Sequence, residues 1–140
     1  MKTILLPIDV FHESGWEEAL QHAISLARQH GSDLHVLTVI PDFGMPMVGA
    51  FFPKEFSSNA LAEAEATLAK FTSENIPDGV NVTRHVKHGT IYKEILAVAD
   101  AIAADMIVMA SHRPEMRDYL LGPNASRVVR HARQSVTVIR

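Results

Sequence analysis

Two short segments in the last third of the chain contain residue types that hold phosphate. Residues 110–114 read Ala-Ser-His-Arg-Pro, and residues 122–125 read Gly-Pro-Asn-Ala. Gly122 permits close approach of the backbone, and a helix that begins directly after it leaves backbone N–H groups available to an anion. Pro123 suits the first turn of such a helix, where its missing N–H would have had no partner. These segments predict a phosphate-binding loop at a helix N-terminus.

Side chains in and after this loop add to the prediction. Asn124 can cap the helix or donate to a phosphate, and Arg113, Arg117, Arg127 and Arg130 supply positive charge. The alternative is a long surface crossover followed by an ordinary capped helix. Loops of about 12 residues in a compact domain are more often functional than not. The pattern therefore favours binding.

A carboxylate follows the first apolar segment, in the run Pro7-Ile8-Asp9. At the end of a strand, Asp9 can accept hydrogen bonds from ribose hydroxyls or coordinate a metal. It can equally cap the turn into the first helix. The local sequence leaves these alternatives open.

The hydrophobic pattern alternates between short apolar runs and stretches with helical periodicity. Ser14 and Glu17 are spaced as a capping box for the first helix, and Gly31 ends that helix. Ser57 or Ser58 is the predicted cap of the second helix, which runs to about Glu74. Gly89-Thr90 opens the third helix. The predicted strands are Thr3–Ile8, Leu34–Ile40, Val80–Val86, Asp105–Ala110 and Ser135–Ile139. A fourth helix, Asn124–Ala132, is predicted between the last two strands.

This order predicts one α/β domain over residues 1–140, a doubly wound parallel sheet with helices on both faces. Ligands of such sheets bind outside the carboxyl ends of the strands, where the strand order reverses. The segments at those ends are residues 7–11, 39–42, 88–89 and 110–114. The candidate phosphate loop and Asp9 are therefore expected at the same edge.

Composition excludes several classes of function. The chain has no cysteine, so disulfides, thiolate metal sites and cysteine nucleophiles are ruled out. A formal net charge of −3 gives no support for a nucleic-acid or anionic-membrane surface. No apolar run approaches the ~20 residues of a membrane span, and the apolar run at the N-terminus is too short for a signal peptide, so we expect a cytoplasmic protein.

The histidines do not have metal-site spacing. His85 and His88 are three apart on a predicted strand, so they point to opposite faces, and His131 has no histidine one helical turn away. Solvated or core-edge histidines are the better interpretation, with His112, inside the loop, as the exception. The Met- and Phe-rich segment 43–53 is too apolar for a plain linker. It fits a lid over an adenine, a partner surface, or a flap packed on its own domain.

The sequence resembles the universal stress protein family over essentially the whole chain. The resemblance rests on residues 4–9 (Ile-Leu-Leu-Pro-Ile-Asp), 34–39 (Leu-His-Val-Leu-Thr-Val), 107–114 (Ile-Val-Met-Ala-Ser-His-Arg-Pro) and 120–139. Within the family it is similar to the F/G-type enterobacterial subclass, whose loop also reads Ala-Ser-His-Arg-Pro and then Tyr-Leu-Leu-Gly. The resemblance implies a five-stranded parallel sheet of order 3-2-1-4-5, a homodimer through the last strand, and ATP binding.

The family's ATP loop is Gly, two residues, Gly, nine residues, Gly, then Ser or Thr. Here Ala110 and Arg113 stand at the first two glycine positions, as in the F/G-type subclass, eight residues separate Arg113 from Gly122, and Pro123 replaces the hydroxyl residue. The resemblance implies adenine near Val39, ribose near Asp9, and Mg²⁺ with the triphosphate. The predicted ATP-binding residues are Pro7, Ile8, Asp9, Val39, Ala110, Ser111, His112, Arg113, Gly122, Pro123, Asn124 and Ala125.

The sequence lacks the enzyme signatures of the wider fold family, which leaves two functions to consider. The wider fold family includes ATP pyrophosphatases with a Ser-Gly-Gly-x-Asp-Ser loop and synthetase-like members with His-x-Gly-His, and this sequence contains neither signature. No nucleophile–base–orienter grouping is recognisable either. We therefore expect an ATP-binding regulatory or sensor module of the stress response, and not an enzyme. The alternative is a nucleotide-free dimeric interaction module of the same fold.

Overall fold

The computed structural model describes residues 1–10, 15–41, 54–111 and 123–140, with the backbone alone for residues 54–58. Strands and helices alternate along these segments. In chain order they are β1 (Thr3–Pro7), α1 (Glu17–His30), β2 (Asp33–Pro41), α2 (Lys54–Asn75), β3 (Val82–Gly89), α3 (Ile91–Ala101), β4 (Met106–Ala110), α4 (Pro123–His131) and β5 (Ser135–Ile139). None of these helices is long and apolar enough to cross a membrane.

The strands form one parallel five-stranded sheet of order β3-β2-β1-β4-β5. This is the order that the family resemblance implies, and the doubly wound fold class is confirmed. β1 lies at the centre, with β2 on one side and β4 on the other. The strand order therefore reverses between β1 and β4, so the carboxyl ends of these two strands mark the expected ligand site.

Alternate residues of the central strand fill two separate cores. Ile4 and Leu6 lie in a core beneath α1 and α2, whereas Leu5 lies in a core beneath α3 and α4. All three side chains are fully buried. Each contributes about 1.5–3 kcal/mol relative to an exposed side chain. A strand buried on both faces reads as a continuous apolar run, which is why residues 3–8 were recognisable in the sequence.

The start of α1 differs from the prediction. Ser14 lies outside the described residues, and the cap of α1 is Trp16, which makes no side-chain capping bond. The predicted capping box is therefore wrong. Glu17 does accept a backbone hydrogen bond, but from Gly15 at 2.8 Å. The half-buried Trp16 ring packs edge-on against Phe71 of α2, with 4.7 Å between ring centroids, and this contact holds the start of α1 against α2.

The start of α2 also differs from the prediction. α2 begins at Lys54, so Ser57 and Ser58 lie within its first turns and Phe56 is helical. The sequence signal for this earlier start was Pro53, immediately before the helix.

β3 spans Val82–Gly89, two residues later than predicted at its start and three at its end. Gly79 has a φ of +97°, and this turn continues through Val80. The polar end of the strand nevertheless pairs with β2, His88 opposite Ile40. Only an edge strand readily tolerates such a polar end, and the sequence does not reveal which strand is at the edge.

Asp105 ties the amino ends of the two central strands together. It was predicted as the first residue of the fourth strand, but the strand begins at Met106. Its Oδ2 accepts hydrogen bonds from the backbone N–H groups of Lys2 at 2.8 Å and Thr3 at 3.0 Å. These two bonds, the one from Lys2 first, lower the pKa of the Asp105 carboxyl.

Asp105→Ala should lower the free energy of unfolding at neutral pH, because two backbone donors of β1 lose their acceptor. A lowered folded-state pKa means that the contribution is present above the unfolded-state pKa of about 3.9 and is lost as the pH falls through the folded-state value. The stabilities of parent and variant in urea denaturation should therefore differ at pH 7, and the difference should begin to shrink only as the pH falls below about 4.

Glu65→Ala, which removes the same charge from an exposed position of α2, is the matched control. The assignment of Asp105 is wrong if the two variants lose the same stability at neutral pH, or if the Asp105 difference persists unchanged in acid.

Candidate functional site

The carboxyl end of β1 brings the first predicted site residues to the sheet edge. Beyond Pro7, the N–H of Ile8 donates to the carbonyl oxygen of Leu37 on β2 at 2.8 Å, and the Ile8 side chain is buried. This bond extends the strand pairing by one residue and places Asp9 just outside the sheet. Asp9 is exposed and has an interaction within the chain, so both interpretations of its carboxylate still apply.

The carboxyl end of β4 lies on the other side of the reversal point. Ser111, the first residue after Ala110, is 2% exposed, and its N–H donates to the carbonyl oxygen of Ile139 at 2.8 Å. β5 thereby holds the start of the loop that leaves β4. This bond to the sheet positions Ser111.

The start of α4 is anchored by burial. Pro123 is the first helical residue and is exposed, Asn124 is half-buried, and Ala125 is 2% exposed in the core beneath α3 and α4. A small residue at position 125 lets the helix start lie close to the sheet. The N–H groups that follow Pro123 at this helix N-terminus lie at the end of the macrodipole that favours anions.

Positive charge is concentrated on and after α4. Residues 123–140 contain four arginines and no aspartate or glutamate, in a chain with a net charge of −3. The guanidinium of Arg127 lies 5.1 Å from the ring centroid of Tyr92 on α3, and Arg130 is exposed. Because α4 runs back toward the amino edge of the sheet, Arg133 lies before β5 at that edge, whereas Arg140 follows β5 at the carboxyl edge.

The remaining predicted residues divide into two groups. Val39 is half-buried near the carboxyl end of β2 and packs against the core beneath α3 and α4. His112, Arg113 and Gly122 lie outside the described residues, as does the segment 43–53. The structure thus brings the ends of β1, β2 and β4 to one edge, whereas the direct contacts of the phosphate loop stay predictions.

A cleft of about 210 Å³ opens at the carboxyl ends of β4 and β5. Ala110 and Ser111 contribute to it as predicted site residues, and its other lining residues are Gly15, Glu17, Glu18, Ala19, Ile139 and Arg140. The sequence analysis did not assign these last six to a site. The only sequence signal was the acidic pair in the first turn of α1.

The cleft contains Ala110 and Ser111 of the predicted site, but its other described lining does not favour phosphate. It opens beside α1, which lies over the opposite face of the sheet from α4. Two glutamates in its lining repel phosphate, and its volume is below the ~300–1,000 Å³ typical of small-molecule sites. The anionic part of a nucleotide therefore fits the α4 side of the edge better.

The histidines form no metal cluster within the described part of the chain, where no group of three His, Asp or Glu side chains could hold an ion. His85 and His88 lie three residues apart on β3, as expected. The sequence analysis missed a contact between strands: Nδ1 of His35 on β2 lies 2.8 Å from Nε2 of His85. Fifty positions separate them, so no local spacing could have indicated it.

Comparisons with known proteins agree with this architecture. The model of the universal stress protein family matches residues 1–140. Universal stress protein G of Escherichia coli O157:H7 is 34% identical over 99% of both chains, and that of Salmonella typhimurium is 33% identical over the same shares.

Solved structures are similar as well. One described as hypothetical protein MJ0577 has a TM-score of 0.83 and 27% identity, over 99% of this chain and 94% of the other. A universal stress protein from Archaeoglobus fulgidus in complex with dAMP has a TM-score of 0.63 and 21% identity, over 100% and 98%. One in complex with cAMP has a TM-score of 0.62 and 19% identity, over 99% and 96%. From the full-length family match and the sheet order together, the chain belongs to the universal stress protein family.

Proposed function

We propose that this protein binds an adenine nucleotide, with ATP as the ligand, at the carboxyl edge of the sheet between β1, β4 and the start of α4. The observation that carries the proposal is that β1 and β4 adjoin where the strand order reverses, with Ala125 at the start of α4 buried in the same core as Leu5 and Met109 of these strands. Open α/β sheets bind their ligands at this point. The N–H groups of the first turn of α4 suit the phosphates.

Two relatives of the same fold support the nucleotide class. The Archaeoglobus fulgidus protein is in complex with dAMP and the other neighbour with cAMP, each an adenine nucleotide with one phosphate. The preference for a triphosphate in this chain is our proposal, and it rests on the family resemblance and on the N–H groups at the start of α4. Each added phosphate group increases the negative charge that a helix N-terminus attracts.

Each part of the nucleotide has a proposed contact. The ribose lies against Asp9, whose carboxylate accepts hydrogen bonds from the hydroxyls, and the adenine lies near Val39. The phosphates lie between residues 110–113 and 122–125. Mg²⁺ enters with the triphosphate, since the described residues offer no three-ligand site of their own.

The bound nucleotide acts as a regulatory signal and is not turned over as a substrate. The sequence contains neither catalytic signature of the wider fold family. A stress-sensor role and a cytoplasmic location stay predictions.

The second candidate is a nucleotide-free interaction module. One observation favours it: Pro123, the first residue of α4, has no N–H to donate to a phosphate. The remaining N–H groups of the first turn are the counter-argument, because a helix N-terminus offers several donors.

Isothermal calorimetry with ATP tests the proposal, and Asp9→Ala locates the ribose. The parent should bind ATP below millimolar Kd. Asp9→Ala should weaken binding by about 1–3 kcal/mol, because hydrogen bonds to a charged acceptor contribute this much. Glu65→Ala, with the same charge removed from α2, should bind like the parent. No heat at millimolar ATP in the parent would eliminate the proposed function, and equal Kd values in all three proteins would make Asp9 a turn cap.

Pro123→Ser tests the phosphate contact. The substitution restores an N–H and adds a hydroxyl at the helix start, and each new hydrogen bond to a phosphate oxygen contributes roughly 1.5–3 kcal/mol. ATP should bind at least several-fold more tightly, whereas adenosine, which has no phosphate, should be nearly unaffected.

The pair of ligands separates a phosphate effect from a general change in the protein. A parallel shift for ATP and adenosine, or no shift for either, would remove residues 122–125 from the site and favour the interaction module.

We also propose a homodimer through β5. Within the described ranges of the chain this strand pairs with β4 alone, and its residues 136–139 are half-buried. An unpaired strand edge is a template for another chain, and two-fold pairing of the same strand closes the assembly. Sedimentation equilibrium at micromolar concentration should give twice the 15.4 kDa monomer mass. A monomer throughout this range would count against the dimer.

A further inference from the structure

His35 and His85 connect the edge strand to its neighbour through their rings. His85 lies opposite Leu37 in the β2–β3 register, so the two histidines form a diagonal pair. Nδ1 of His35 and Nε2 of His85 are 2.8 Å apart, and both side chains are half-buried. Leu37 belongs to the core beneath α3 and α4, so the contact lies on that face of the sheet.

The two rings point at each other end to end. Their planes differ by only 16°, and their centroids are 5.1 Å apart. That separation is close to the nitrogen–nitrogen distance plus the two ring radii, which requires a nearly linear arrangement. The contact is therefore a linear N–H···N hydrogen bond and not a face-to-face stack. One nitrogen donates, and the other must present its lone pair.

The number of protons on the pair decides whether this bond exists. With both rings neutral, one N–H donates to one lone pair. With one ring charged, the same bond is retained and gains charge assistance. With both rings charged, all four ring nitrogens carry hydrogen, so no acceptor remains and two positive charges face each other.

The surroundings oppose this doubly charged state. Burial lowers the pKa of His35, and the nearby Asp33 offsets this only in part. Burial also lowers the pKa of His85, and the charges of His35 and Lys87 lower it further. The pair therefore holds its hydrogen bond at neutral pH.

The ionisable groups of α3, the helix packed on these strands, are engaged elsewhere or exposed. Tyr92 lies under Arg127, Asp100 accepts a hydrogen bond from Gln134, and Lys93 is exposed. Glu94 lies beside Gly89 at the far end of β3. Asp33 and Lys87 are therefore the charges that act on the pair besides its own.

We propose that His35 and His85 form a proton-operated latch, which holds edge strand β3 on β2 near neutral pH and releases it when both rings are charged. Among the strands of the described residues, β3 pairs with β2 alone, so a bond across this single ladder contributes more to holding the strand than one in the sheet centre. The ligand of this latch is a proton, which binds to the ring nitrogens of the pair. The feature that it controls is the pairing of residues 82–89 with β2.

Amide hydrogen exchange measured by mass spectrometry tests the latch, in EDTA and from about pH 8 to about pH 4.5. After correction for intrinsic rates, residues 82–89 of the parent should lose protection toward acid more steeply than β1. His85→Phe keeps a planar ring but removes the bond. Its β3 should exchange roughly two- to tenfold faster at neutral pH, the factor that one hydrogen bond corresponds to, and should lack the steep acid dependence.

His30→Phe, the same substitution at an exposed histidine of α1, is the matched control and should follow the parent. An unchanged acid dependence of β3 in His85→Phe would overturn the proposal.

A measurement on the unmodified protein is independent of any variant. In ¹⁵N spectra at neutral pH, Nδ1 of His35 and Nε2 of His85 should give one protonated and one unprotonated signal, and both should become protonated over the pH range in which β3 loses protection. Two rings that titrate independently, or β3 opening at a pH unrelated to the second protonation, would also overturn it.

Discussion

The structure depends on the burial of β1 on both of its faces. Ile4 and Leu6 belong to one core and Leu5 belongs to the other, so this strand packs against the helical layers on both faces of the sheet. The flanking strands take their register from it: Leu5 lies opposite His35 on β2 and opposite Ile107 on β4. Its amino end is held by Asp105, and its carboxyl end continues into Ile8 and Asp9. The candidate site thus begins at the carboxyl end of a strand that is held on both faces and at its amino end.

The parts of this fold that the sequence predicts are those set by burial. Short apolar runs predict β1, β2, β4 and β5, and the helical periodicity of residues such as Leu20 and Ile95 predicts helices between strands. β3 is largely polar, and both of its predicted bounds were wrong. The errors lie where a tertiary contact competes with a local signal. Ser14 and Glu17 form a good capping pattern, yet the packing of Trp16 on Phe71 accompanies a helix start two residues later. Capping is worth about 1 kcal/mol, and the burial of an indole ring exceeds it.

The sequence predicts the location of the candidate site but not the contacts that depend on strand order. That Asp9, Ser111 and Asn124 belong to one edge follows from the alternation of strands and helices, because parallel strands end together. The acidic cleft beside α1 was not predictable, since it joins Glu18 to Arg140 across most of the chain length. The His35–His85 contact was missed for the same reason. Both depend on strand order, and strand order was supplied by family resemblance and not by any residue pattern.

The two edges of the sheet have opposite character, and this asymmetry bears on assembly. Edge strand β3 is exposed at Arg84, Lys87 and His88, and charged side chains on an edge oppose pairing with another chain. Edge strand β5 has no charged residue between Ser135 and Ile139. An approaching copy of the chain therefore meets electrostatic repulsion at β3 and none from the strand itself at β5. On this argument a loosened β3 does not become a second dimer surface, because any charge gained by His85 adds to the repulsion. Protonation would then act on the stability of one edge, and assembly would act on the other.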